Sequence, residues 1–473
     1  MKELLRRYRE ASPAVRASIW ATVCNFLQRG AAVLVVPIFT RLLTTEQYGV
    51  CNVYYAWFDI FVLVTSLKLP YEGLNNGLIR HEQDKDGYTS SVLGLMVVLT
   101  CASAFVYWLL RDVIDRFTGI GSFLMIFMFV QLLFSPILNL WIGRQRFDFK
   151  YRAPVIVTLI STVLSPAIAI VAVLNTSYMS EARIIALAAV QAVFGLGCAV
   201  VLLWRGRVFY KKEYWSFAVR FNLPLLAYYL SQTVLNQSDR IMIDHFCGSG
   251  KAAIYSVAYT AATLMLLVVS AINGAFSPWM YRKLKAKDHG AVRPVAGQLC
   301  LLVAGATLAM TVFAPDVVAI LATESYQEAI WIIPPVSASV FFVFLYMQFA
   351  NVEMFYGKNK GISVVSIVCT LVNVGLNAWA IPRFGFLAAG WTTLVSYVLL
   401  AALHYVLMKR CCPEKVFPVK MILAVCVLEL ALSFGIMALY PLGWVRYGVI
   451  ALEAVLVLCF RKKLMGLLDN VRS

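Results

Sequence analysis

The chain has 473 residues, of which 61% are hydrophobic and 14% charged, and its mean hydropathy is +0.78. A soluble domain is nearer half apolar and a quarter charged, so composition excludes a soluble enzyme or binding module. The formal net charge of +17 raises nucleic acid as a partner, but the placement of the basic residues removes that reading.

Apolar runs of about 20 residues recur from end to end, each long enough to cross a hydrocarbon core of ~30 Å. About fourteen spans are predicted by that criterion. The first six are Ala17–Leu43, Tyr48–Tyr71, Thr89–Leu110, Gly119–Ile142, Pro154–Leu174 and Ala182–Trp204. The next six are Phe217–Phe246, Ala252–Met280, Val292–Phe313, Ala329–Phe355, Ile362–Ile381 and Phe386–Met408. Phe417–Leu439 and Gly443–Phe460 close the series, and Pro334-Pro335 is expected to interrupt the tenth span. The start, MKELLRRYREASP, is basic and runs into a full-length span without a small-residue cleavage site, which predicts a retained first helix rather than a signal peptide.

With the N-terminus on the cytoplasmic side, the loops on that side hold about 30 Lys and Arg, and the opposite loops about five. This is the positive-inside asymmetry, and it predicts that both termini are cytoplasmic in a multi-pass inner-membrane protein whose first partner is the lipid bilayer. The basic balance is therefore topology, with unspecific attraction to anionic headgroups added. No nucleic-acid partner is expected.

The outer loops are short. The longest, Ala314–Glu328, is too small for an extracytoplasmic domain. The loop Arg205–Ser216 is the clearest linker and divides six spans from the rest. The resulting organisation is residues 1–204 as an N-terminal lobe, 205–216 as a cytoplasmic linker, 217–408 as a C-terminal lobe, and 409–473 as two extra spans with a tail. Local echoes support a repeat. Gly49-Val50-Cys51-Asn52-Val53-Tyr54-Tyr55 is answered by Ala253-Ile254-Tyr255-Ser256-Val257-Ala258-Tyr259, and Gly143-Arg144-Gln145-Arg146 by Gly357-Lys358-Asn359-Lys360. Because six is an even number, the two copies must be parallel repeats, a pattern that places a substrate site between them. The expected fold is all-α and integral to the membrane. The eleven cysteines lie mostly within spans and include no CxxC pair, so neither a disulfide framework nor a metal site is expected.

The seventh span is unlike its neighbours. It carries Asn236, Asp239, Arg240 and Asp244 at lipid depth. A charge there costs roughly 2.5–3.5 kcal/mol on insertion scales and normally faces a bundle interior or a wet cavity.

Several stretches now resemble one family. Pro37-Ile38-Phe39-Thr40-Arg41-Leu42-Leu43-Thr44-Thr45-Glu46-Gln47-Tyr48-Gly49 is similar to the first-span exit of bacterial polysaccharide transporters. So are Gly77-Leu78-Ile79-Arg80 and Ser238-Asp239-Arg240 followed by Ala253 to Tyr259. So is Asn373-x-x-x-Asn377-x-x-x-Ile381-Pro382-Arg383-Phe384-Gly385-Phe386-Leu387-Ala388-Ala389-Gly390. The chain resembles the O-antigen and capsule flippases (Wzx-like) of the multidrug/oligosaccharidyl-lipid/polysaccharide exporter superfamily through spans 1 to 12. The resemblance implies a V-shaped, two-lobe transporter that flips a polyprenyl-pyrophosphate-linked oligosaccharide to the outer leaflet by alternating access. It implies an ion gradient as the driving force, and the sequence holds no G-x-x-x-x-G-K-[ST] phosphate loop. No cofactor is expected beyond a coupling cation, Na+ or H+, and other polysaccharide-assembly proteins are candidate partners.

Asn373 and Asn377 are one helical turn apart and share a face, as do Ala389 and Thr393. In the related lipid II flippases a sodium site draws on spans 7, 11 and 12. Asp239, Asn373, Asn377 and Thr393, with the Ala389 carbonyl, fit that layout by resemblance. The family's second carboxylate is Asn377 here, which lowers the charge of the site. At ~1.5 Å per residue Asp239, Asn377 and Thr393 fall roughly 20–25 Å from the cytoplasmic edge, and hard oxygen ligands suit a hard cation. A proton is the alternative, carried by Asp239 with His245 nearby. The structural alternative makes the asparagines interhelical glue and leaves Asp239 neutralised by Arg240 or another basic residue.

A pyrophosphate headgroup leaving water needs cations facing it. Arg29 lies about 18 Å into the first span and has no acid within one turn. Lys68, Arg220 and Arg240 complete the candidate cationic cavity. Lys68 has Glu72 at i+4, which favours a structural pair, and Arg220 lies close enough to the cytoplasm to snorkel. The basic residue that the lipid II flippases use in span 8 is missing here. Glu429 and Glu453 read as structural acids, most aromatics as packing, and His404 as satisfied within its own span. Two other functions compete: a multidrug exporter of the same fold, which usually stops at twelve spans, and a membrane polymerase or ligase of the same pathway, which the short outer loops disfavour. The chain is read as a transporter and not an enzyme.

Overall fold

Hydrocarbon offers backbone N–H and C=O groups no partner, so a chain built of such runs resolves into helices. The computed structural model describes residues 12–452, and among them seventeen α-helices follow one another with no strand. They are α1 (Pro13–Leu42), α2 (Thr45–Ser66), α3 (Glu72–Arg80), α4 (Lys85–Leu109), α5 (Arg111–Thr118), α6 (Ser122–Phe147), α7 (Arg152–Leu174) and α8 (Met179–Gly206). There follow α9 (Lys212–Cys247), α10 (Ser249–Thr263), α11 (Met265–Lys285), α12 (His289–Val312), α13 (Ala314–Leu321), α14 (Ile333–Phe355), α15 (Asn359–Phe384), α16 (Ala388–Cys411) and α17 (Val419–Leu439).

Twelve helical stretches among the described residues are long and apolar enough to cross a membrane. They correspond to predicted spans 1–6 and 8–13. The seventh, α9, misses that criterion because of its polar and charged residues, and the predicted span Gly443–Phe460 lies outside the described residues from position 453 on. Leu34, Val163 and Val193 are about 70% exposed on their helices. In water so much exposed apolar surface would drive association, whereas in lipid it is solvated.

The chain divides into two compact units, Met1–Gln237 and Ser238–Ser473, and the division falls inside α9. Within the first, α6 and α7 pack on α8, and α1 packs on α7. Within the second, α14 and α15 pack on α16. The packing order of the first unit thus recurs in the second. Helix α14 is the core of its unit, with 89% of its span buried, and α17 lies against α12 and α14. Close approach in the first unit depends on Gly195 of α8, where a Cβ would stand 2.5 Å from the Phe134 carbonyl oxygen of α6. Small residues at such crossings are how membrane helices gain contact.

Local chemistry sets the ends. Thr44 caps α2 in a reciprocal box: Gln47 N donates to its hydroxyl at 3.2 Å, and its own N–H donates to Gln47 Oε1 at 3.0 Å. Helix α2 then stops at Ser66, five residues short of the predicted span. Leu67 and Lys68 are left-handed (φ 48° and 54°) and Pro70 follows. The residue before a proline resists the helical region, and the Ser66 hydroxyl takes up the Val62 carbonyl at 2.5 Å. Lys68 is therefore in a turn, and Glu72 opens the next helix, so the two do not share a helix as the i+4 reading expected. The predicted tenth span is divided at the prolines as expected: a 3-10 helix ends at Trp331, and Pro334-Pro335 occupies the first turn of α14, where a missing N–H costs nothing.

Residues 205–216 are not free of the first unit. The Tyr214 hydroxyl donates to Asp84 Oδ2 at 2.7 Å, Lys211 Nζ donates to that hydroxyl at 2.8 Å, and Trp215 Nε1 donates to the Ser91 carbonyl at 2.8 Å. His81 closes this end, stacked on Tyr88 with ring centroids 5.2 Å apart and 4.6 Å from the Tyr214 ring. Burial pushes the His81 imidazole below its ordinary value, against the opposing pull of Glu213 at 3.9 Å.

Gly195→Ala should lower the melting midpoint in detergent by the overpacking cost of about 1–3 kcal/mol. Gly197→Ala, where a Cβ meets nothing within 4 Å, should leave the midpoint unchanged or raise it slightly. A second expectation concerns pH. His81 binds its proton less readily folded than unfolded, so its contribution is complete above about pH 6.5 and is lost as pH falls from there towards the folded value. Melts between pH 7.5 and 5.5 should therefore show wild type losing more stability than His81→Phe. Parallel losses would remove the imidazole as the cause.

Candidate functional site

Four helices of the second unit meet around one carboxylate. Helix α9 supplies Ser238 and Asp239, α10 supplies Tyr255, α15 supplies Asn373 and Asn377, and α16 supplies Ala389, Thr392, Thr393 and Ser396. Residues four apart in a helix stand above one another, so α15 presents both amides together and α16 presents a ladder of hydroxyls. Asp239, Asn373 and Asn377 have no exposed surface, and Thr393 has 1%.

The Asp239 carboxylate accepts three hydrogen bonds. Asn377 Nδ2 donates to Oδ1 at 2.6 Å, while the Tyr255 hydroxyl at 2.5 Å and the Thr393 hydroxyl at 2.9 Å donate to Oδ2. A second layer continues outward. Asn377 Nδ2 also reaches Asn373 Oδ1 at 3.3 Å, and Asn373 Nδ2 donates to the Ser396 hydroxyl at 3.2 Å. The Thr392 hydroxyl donates to Asn377 Oδ1 and to the Ala389 carbonyl, the latter at 3.0 Å. The structure thus gathers the five residues singled out from sequence, Asp239, Asn373, Asn377, Ala389 and Thr393, into one cluster. Sequence reasoning missed Tyr255, Thr392 and Ser396. Tyr255 sat in a repeat echo, which was the available signal.

This cluster is rich in hard oxygens: two from a carboxylate, two from amides, several from hydroxyls and one from a backbone carbonyl. Such a set suits an alkali cation or a proton and does not suit a soft metal. Arg240 has a different set of partners. Its Nε donates to the Ser256 hydroxyl at 3.2 Å and its guanidinium lies 4.6 Å from the Tyr259 ring centroid. Adjacent helical residues point about 100° apart, so the two side chains take different hydrogen-bond partners.

The other cations have separate surroundings. Arg29 is exposed on α1 and Arg220 is exposed on α9. Lys68 is half-buried, 4.3 Å from the Tyr71 ring centroid and 5.7 Å from that of Tyr229. Glu429 of α17 is buried and accepts from the Thr307 hydroxyl at 2.7 Å. Glu453 lies outside the described residues. His404 corrects the expectation that its own span satisfies it: Nδ1 lies 3.0 Å from Oε1 of Glu353 on α14, and neither side chain is exposed.

The family described as "Polysaccharide biosynthesis protein" matches residues 14–283. A Haemophilus influenzae protein named "Lsg locus putative protein 1" is 24% identical over 365 residues, covering 72% of this chain and 84% of its own length. An "uncharacterized membrane protein" of the same organism is 22% identical over 363 residues with the same coverage. The solved structure of the lipid II flippase MurJ, inward closed, superposes with a TM-score of 0.70 at 11% identity, covering 94% of this chain and 99% of that one. An inward-facing MATE-family multidrug resistance transporter of the MOP superfamily gives 0.60 at 15% identity, covering 82% and 96%. At these identities the two structures show the fold alone: an all-helical architecture that this chain shares with both. With more than half of its length matched, the chain belongs to the polysaccharide biosynthesis protein family.

Proposed function

We propose that this protein is a flippase for a polyprenyl-pyrophosphate-linked oligosaccharide in cell-surface polysaccharide assembly, such as O-antigen, capsule or exopolysaccharide. It works by cation-coupled alternating access in the cytoplasmic membrane, with both termini on the cytoplasmic side. The observation that carries the coupling is the fully buried Asp239 carboxylate, ringed by oxygen-bearing side chains from four helices. Asp239, Asn373, Asn377 and Thr393, with the Ala389 carbonyl, would hold Na+, or Asp239 alone a proton. A bound cation there would neutralise charge at lipid depth and shift the balance between conformations. Arg29, Lys68, Arg220 and Arg240 are the proposed contacts for the pyrophosphate. The family match supports the polysaccharide pathway over drug export. The lipid II flippase also accounts for 94% of this chain, against 82% for the multidrug transporter.

The experiment is headgroup translocation of defined polyprenyl-pyrophosphate glycans in proteoliposomes, with Na+ and H+ gradients imposed separately. Wild type should flip faster under one gradient. Asp239→Asn should lose that acceleration by at least about tenfold, because removing a charge-assisted interaction of about 1.5–3 kcal/mol has that effect. Gradient-driven flipping unchanged in Asp239→Asn but lost in Asp239→Ala would leave the carboxylate a structural role and sink the coupling. Export of cationic dyes without glycan movement would favour the multidrug reading instead.

A further inference from the structure

The first unit contains an open cavity of about 390 Å³ lined by α1, α2, α7 and α8. Its polar lining is Gln28, Tyr55, Thr162 and Arg183, and Phe39 contributes to an otherwise apolar wall. Arg183 belongs to the first turns of α8 and was not among the cations singled out from sequence. Its guanidinium lies 4.3 Å from the Phe39 ring centroid and 4.8 Å from that of Tyr48. Its buried Nε and Nη1 meet the sulfur of Cys51, a weak acceptor, and find no well-placed oxygen or nitrogen partner; the buried Tyr55 hydroxyl lies by Gln131 but likewise makes no hydrogen bond of normal geometry.

Aromatic faces attract a guanidinium but offer its N–H groups no lone pair. A buried donor is almost always satisfied, so unmade bonds at two guanidinium nitrogens and a phenol on one cavity wall ask for an acceptor. The planar fork of Arg matches an oxyanion, carboxylate or phosphate, through two parallel bonds. The cavity is of the size that takes a small molecule, ~300–1,000 Å³, and among the described residues Arg183 makes no ion pair.

We infer that this cavity is an oxyanion-binding site in which Arg183 and the Tyr55 hydroxyl hold a carboxylate or phosphate group, with Gln28 and Thr162 contacting the group that bears it. The anion has two sources in a membrane of this kind: an acidic sugar of the transported glycan, or a phosphate headgroup. Assigning the site to the glycan rests on the flippase reading; the binding of an oxyanion does not.

The test is direct binding to the purified full-length protein in detergent, read by calorimetry and by the shift in melting midpoint. The probes are glucuronate, inorganic phosphate and glucose. At least one anion should bind saturably, at least about tenfold tighter than glucose, and Arg183→Gln should weaken it by about tenfold or more. Tyr55→Phe should weaken it less, and it serves as the second variant if Arg183→Gln does not fold. Asp239→Asn should bind as wild type, so failure of the coupling site is told apart from failure of this one. Stronger glucuronate binding identifies an acidic sugar, and stronger phosphate binding a headgroup. Glucose binding equal to both anions, or anion binding unchanged in both Arg183→Gln and Tyr55→Phe, would overturn the inference.

Discussion

The Asp239 carboxylate is the interaction on which the second unit is organised. An acid without exposed surface in lipid can persist only where donors replace its water. Here donors come from α10, α15 and α16, so the three helices are tied to α9 through one side chain. Such a network is high-stakes, because losing one donor leaves the remaining charge under-solvated in a medium of low dielectric. The same concentration of requirements makes it sensitive to an arriving cation, which would compete with every one of those donors at once.

Packing supplies the rigidity that this arrangement needs. In each unit a central helix, α8 or α16, receives two neighbours in the same order, and the site helices α15 and α16 are direct neighbours. Helix α14 is buried on nearly every side and backs α16 from behind. Its Glu353 meets His404 of α16, placing a second buried polar link on the helix that carries Thr393. Polar bonds between membrane helices are individually modest, but these two fix α16 at separate heights.

How much of this was legible in the sequence follows from what each residue signals. Membrane class, the all-helical fold and the Asn373–Asn377 face were readable because hydrophobic length and i+4 spacing are properties of one segment. Asp239 stood out because a charge in an apolar run is rare. Its partner hydroxyls did not, since Tyr255 and Thr392 in a helix look like packing until another helix is known to be opposite. Glu353 and His404 are 51 residues apart, and only tertiary structure brings them together. Lys68 was misplaced because two consecutive left-handed residues at Leu67-Lys68 leave little trace beyond Pro70. Arg183 escaped notice because it fell at the edge of a span, where a cation is ordinary.

The polarity of α9 also bears on how the protein is made. As synthesis proceeds, Asp239 enters the membrane region with Tyr255 only 16 residues behind it. Asn377 follows 138 residues later and Thr393 154 residues later. Helix α9 is too polar to partition well alone, so its insertion must lean on the helices released next. For most of the time needed to build the second half, the nascent chain carries an acid with one of its three eventual donors. Biogenesis thus has a vulnerable interval that ends only when α15 and α16 arrive. A lesion in either helix would then be felt as failed assembly before it could be felt as failed transport.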